Sequence, residues 1–142
     1  MRKLILSALL LASGSGLFAQ KLSDVEKKLA DGKYAEAKDG IDKLLADPKN
    51  QNNANAWYRK GQIYMQLAMD STKLDESLTN RSEAMTAFKR YYEMDAKNVM
   101  GTLEQNVRPF QVYESAYNAA LSDYNAQNFA RSFQNFKQAL DS

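Results

Sequence analysis

The sequence predicts an all-α fold of about three helical hairpins. Three observations carry this. Trp57-x3-Gly61-x2-Tyr64 sets two aromatic rings and a gap on one helix face, at i, i+4 and i+7. Ala84-x3-Phe88 places a small and a large residue on one face of a following helix. Apolar stripes of the same period flank both, broken by Asp31-Gly32 and Asp47-Pro48.

The first hairpin spans about 21–48. Leu22, Val25 and Leu29 form one stripe; after the break at Asp31-Gly32, Tyr34, Ala37, Ile41, Leu44 and Leu45 form another. A polar run from Lys49 to Asn55 suits a turn and a helix start.

The second hairpin, about 54–98, holds the Trp57 and Ala84 landmarks and closes at Asp95-Ala96-Lys97-Asn98. Between them Met69 to Arg81 is polar, with Leu74 and Leu78 inside it. Asn80 followed by Glu83 predicts the next helix start, in the manner of a capping box. Pro109 divides Val99 to Val112: either one helix is kinked there, or a short helix ends and a new one carries proline in its first turn. The second is preferred.

The third hairpin runs about 110–142. Tyr117, Ala120 and Tyr124 mark its first helix, Asn128 to Phe133 its turn, and Phe136, Ala139 and Leu140 its second helix.

This order of landmarks resembles the tetratricopeptide repeat, W-x2-L-G-x2-Y…A-x3-F…P. Gly32-Lys33-Tyr34-Ala35-Glu36-Ala37 is similar to the turn of that repeat, and Asn128-Phe129-Ala130-Arg131-Ser132-Phe133 to a second copy of it. The chain departs from the pattern at Lys60, Ala96 and Ser132, and by the long interval between Tyr64 and Ala84. The resemblance implies a right-handed α-solenoid with a concave groove lined by the first helix of each hairpin. It implies core positions for Tyr34, Tyr64, Phe88, Phe129 and Phe136. It also implies a partner groove presenting Asn55, Tyr58, Gln62, Met65 and Gln66 from the second hairpin. Glu114, Tyr117, Leu121, Tyr124 and Asn125 present it from the third. Family members that clamp a peptide carboxylate use Lys, Asn and Arg on this face. Here Tyr58, Gln62 and Tyr117 stand there, so the groove is expected to be neutral and amphipathic. On this register Tyr58→Ala is expected to be nearly silent for stability and Gly61→Leu costly.

Residues 1–19 read as a secretory signal: Arg2 and Lys3, an apolar run from Leu4 to Ala12, then small residues leading to Phe18-Ala19-Gln20. The run is shorter than the roughly 20 residues of a membrane span. Cleavage is expected after Ala19, with Ala12 and Gly16 as alternatives. Removing Arg2 and Lys3 takes 19 basic residues to 17, against 17 acidic ones, so charge gives no support for nucleic-acid binding. Without cysteine, neither a disulfide framework nor a lipid-modified cysteine is available. The expected location is the periplasm or beyond.

The absence of histidine and cysteine removes the commonest general base, the commonest zinc ligands and the thiol nucleophile. Ser71-Thr72-Lys73 lacks the Ser-x-x-Lys spacing, and Asp70, Asp75 and Glu76 lack the glycine of a calcium loop. Asp70-Ser71-Thr72 resembles a bacterial O-glycosylation acceptor. Arg59-Lys60 and Lys89-Arg90 read as solvated helix faces. No catalytic residue, cofactor or metal site is expected. The expected function is a non-enzymatic scaffold for a peptide or protein of the cell envelope. The alternatives are the N-terminal section of a longer exported protein, or a carbohydrate- or peptidoglycan-binding module using Tyr58, Tyr117 and Tyr124. Phe129, Phe133 and Phe136 predict an apolar strip on the last helix, open to self-association.

Overall fold

Two of the breaks read from the sequence are helix ends. The computed structural model describes residues 13–69, 74–105 and 107–141, with side chains from residue 21 onward except at 74 and 107. Seven α-helices and no strand occur among them: α1 Ser13–Ala30, α2 Tyr34–Ala46, α3 Ala54–Ala68, α4 Leu74–Met94, α5 Val99–Leu103, α6 Val107–Asn125 and α7 Phe129–Asp141. Arg2, Lys3 and the whole apolar run from Leu4 to Ala12 lie outside the described residues, as do Asp70, Ser71, Thr72 and Lys73. Helix α1 crosses Ala19-Gln20, so a chain cut there would keep its last eleven residues.

Local chemistry sets the turns. Gly32 takes φ +73°, and the Lys33 N–H reaches back to the Lys28 carbonyl at 2.9 Å. The α6–α7 turn repeats this: Gln127 takes φ 62° and the Asn128 N–H returns to the Asp123 carbonyl at 2.8 Å. Asn53 caps α3, its Oδ1 accepting from the Ala56 N–H at 3.2 Å. Pro109 lies in the first turn of α6, after the separate short helix α5.

Packing pairs α1 with α2, α3 with α4 and α6 with α7; α2 also packs on α3, and α6 on both α3 and α4. One core cluster joins Val25, Ile41, Leu44 and Leu45 to Ala56 and Ile63. The other gathers Tyr58, Tyr64, Met65, Phe88, Tyr91 and Val112. Lys60, where the repeat pattern has leucine, holds its ammonium over the Trp57 and Tyr64 rings, 5.7 and 5.0 Å from their centroids, and pairs with Glu83 at 3.0 Å.

The polar interval does not run as far as expected. Helix α4 begins at Leu74 rather than Asn80, nearly two turns early. Ser77 and Arg81, one turn apart, are buried. Arg81 donates to Asn135 and, at 3.0 Å, to Gln138; Gln138 in turn donates to the Leu78 carbonyl at 2.7 Å. Contacts from α7 thus hold the first turns of α4. Burial pulls the Arg81 pKa down, and the Asp123 carboxylate opposes that.

Tyr64 donates to Asp42 Oδ2 at 2.6 Å. Burial first, and then this bond, push its phenol up from 10.0 to about 12. The unfolded chain therefore loses this proton at lower pH than the folded one, and the stabilisation it reflects is present below pH 10 and lost towards pH 12. Tyr64→Phe should cost about 1 kcal/mol at neutral pH, the usual value of a hydrogen bond. That difference should close in urea titrations between pH 10 and 12. A difference constant across this range would contradict the assignment.

Candidate interaction surface

The face of α3 expected to line the groove is instead covered. Tyr58 and Met65 are each 0 % exposed and Gln62 is 5 % exposed. This corrects the expectation for Tyr58, Gln62 and Met65. The physical reason is α5–α6, which lies over them. The Tyr58 ring meets Phe88 at 5.5 Å and Tyr91 at 4.9 Å, both edge to face. Burial, followed by the Glu104 carboxylate, holds the Tyr58 phenol above its ordinary value. Of the same set, Asn55 is exposed and Gln66 half-buried.

Glu104 is the centre of a polar knot that seals this contact. Its Oε2 accepts from Gln62 Nε2 at 2.6 Å, from Tyr58 Oη at 3.3 Å and from Arg108 Nε at 3.1 Å. Its Oε1 accepts from Arg59 Nη1 at 3.1 Å, while Arg59 Nε reaches Glu26 of α1 at 2.9 Å. Three hairpins meet here through charge-assisted bonds. Beside the knot lies a cleft of about 400 Å³ that includes Gln66 and Tyr34. Its guanidinium and carboxylate groups neutralise one another, which leaves little unpaired charge for a ligand.

Tyr91 seats α5. Its hydroxyl accepts from the Met100 N–H at 2.8 Å and the Gly101 N–H at 3.2 Å, and donates to Asp95 at 2.8 Å. This satisfies orphan donors of the first turn of α5 and fixes Glu104 at its end. Sequence reasoning missed Glu104, because the α3 residues it joins lie 42 to 46 positions away and no local motif connects them.

Tyr117, Leu121, Tyr124 and Asn125 of α6 are exposed, as is Glu114. Phe110 and Tyr113 continue this face, with rings stacked at 5.8 Å, and Tyr113 stacks on Tyr117 at 6.0 Å. Helix α7 adds Phe129, Phe133 and Leu140, all exposed, and a half-buried Phe136 whose ring meets Tyr117 at 5.7 Å. Phe129, expected in the core, is 59 % exposed and touches only the rim ring Tyr124 among aromatic neighbours, at 5.6 Å. Its place at the first residue of α7 puts it outside the hairpin. Phe133 is 71 % exposed. A contiguous apolar surface of this kind is unusual on a monomer.

Under that surface the hairpin has a polar interior. Ser132, where the repeat pattern has alanine, donates to the Ala120 carbonyl at 2.9 Å, and Asn135 donates to Asp123 at 2.8 Å. These bonds hold α6 and α7 in one register beneath the aromatic face. No group of metal-ligating side chains occurs among the described residues, and no described helix is long and apolar enough to cross a membrane. No family model, curated protein or solved structure matches the chain.

Proposed function

We propose that this chain is a non-enzymatic scaffold of tetratricopeptide type, exported across the inner membrane, that holds a peptide or protein of the cell envelope. In this reading the hairpins form a short right-handed solenoid. The landmark spacing, the packing of α2 on α3 and of α4 on α6, and the repeated turn geometry at Gly32 and Gln127 support that arrangement. The single observation that carries the functional reading is the open aromatic face of α6 and α7. Its rings are aromatic and exposed, and its tyrosines amphipathic, the composition that favours protein contacts.

Immobilised protein and a Tyr117→Ala, Tyr124→Ala variant, each exposed to an envelope fraction, test this. One protein should be enriched on the first and lost from the second, with unchanged helical circular dichroism. Equal capture by both refutes the reading. Protein recovered from the envelope for this experiment should begin at Gln20; an uncleaved cytoplasmic chain refutes export. A carbohydrate partner is the second reading, favoured by the flat stack of Phe110, Tyr113 and Tyr117. Glycan binding lost in the same variant would select it.

A further inference from the structure

The open face carries apolar seams with the spacing of helices that meet lengthwise. On α6, Phe110, Tyr117 and Tyr124 recur every seven residues, with Tyr113 between the first two. On α7, Phe129 and Phe136 are seven apart, with Phe133 and Leu140 each four further on. A heptad keeps such a stripe in line along a helix and suits another helix laid against it.

The chain itself illustrates what covers such a face. Tyr58 and Phe88 meet edge to face at 5.5 Å and 69°; Tyr117 and Phe136 repeat this at 5.7 Å and 71°. The first pair is sealed by α6, which contributes Val112 to its cluster. The second pair has no such helix over it among the described residues: Tyr117 is 40 % exposed where Tyr58 is 0 % exposed.

A second copy of the chain offers one surface that matches. Among the described side chains, the exposed side of α1 and α2 is polar, with Lys21, Asp24, Lys27, Glu36, Asp39 and Lys43. Stacking head to tail would therefore strip water from charges with only rings to receive them. Away from the α6–α7 face, the exposed large apolar side chains Met69, Tyr92, Val99 and Leu103 are spread over α4, α5 and the residue after α3, and form no helix-long stripe among the described residues. Phe, Tyr and Leu hold the seam positions, so two copies of this face meet apolar side chain to apolar side chain, with the exposed Glu114 beside the α6 seam.

We propose that two copies associate about a twofold axis through this face, α6 and α7 of one packing on α6 and α7 of the other as a four-helix bundle. The proposal rests on the reading of the face as an interaction surface and names its occupant.

Light scattering after size exclusion should give twice the chain mass for the purified protein and the single mass for Phe133→Glu, with equal helicity. The chain has no cysteine, so single thiols report proximity cleanly. Phe133→Cys should form a covalent dimer under mild oxidation, and Lys43→Cys, on the polar side of α2, should not. A monomer at every concentration tested overturns the dimer, as does a dimer indifferent to Phe133→Glu and not cross-linked at position 133. If the monomeric chain still retains an envelope protein through Tyr117 and Tyr124, only the dimer fails. If it neither dimerises nor retains one, both readings fail.

Discussion

Tyr58→Ala should lower the stability of the protein by about 3–5 kcal/mol, the range for removing a large buried ring. The residue is 0 % exposed and touches Phe88 and Tyr91 through ring edges, so truncation leaves a cavity between α3, α4 and α6. It also removes one donor from the Glu104 carboxylate. Tyr58→Phe separates the two effects: it keeps the ring and should cost only about 1 kcal/mol. Urea denaturation followed by circular dichroism measures both. A loss below about 1 kcal/mol for Tyr58→Ala would mean that α6 does not cover α3, and would return Tyr58 to the open groove that the repeat pattern implies.

Gly61→Leu should destabilise by about 1–3 kcal/mol, the usual range for overpacking. A Cβ at Gly61 would stand 2.6 Å from Phe88 Cε1 and 2.7 Å from its Cζ, closer than real contacts allow. The ring has little freedom to retreat, because Tyr58 packs against it at 5.5 Å. Leucine is a better helix former than glycine by somewhat under about 1 kcal/mol, which offsets part of the clash without removing it. The pair is tested as a cycle. In the Phe88→Ala background Gly61→Leu should cost much less than in the parent, since the added side chain then enters space the ring has left. Strict additivity would show that the two residues do not meet.

The features legible in the sequence were those fixed within a turn or two of chain. The Trp57, Gly61 and Tyr64 spacing, the break at Asp31-Gly32 and the proline in the first turn of α6 depend on local sterics and on helical period. The contact of Gly61 with Phe88, on different helices, was not of this kind: the repeat resemblance implied that Gly61→Leu would be costly, and the structure shows the ring that makes it so. The start of α4 was not legible. Asn80 and Glu83 form a plausible local cap, but Gln138 and Asn135, far along the chain, hold the turns before it.

The candidate site divides in the same way. Tyr58, Gln62 and Met65 share a helix face with polar or aromatic character, and Tyr117, Leu121 and Tyr124 share the corresponding face of α6. Periodicity makes these two faces equivalent and cannot say which one is covered. Glu104 decides it for α3, collecting donors from Tyr58, Gln62, Arg59 and Arg108 and drawing α5 and α6 over the face.

By itself, then, the sequence determined an all-helical chain, its breaks at Asp31-Gly32 and Asp47-Pro48, and the lack of the commonest catalytic groups. Only the tertiary structure decided that the α3 face is core and the α6–α7 face is open. Helix formation is governed by neighbours three and four residues apart, whereas burial depends on which distant helix arrives to exclude water.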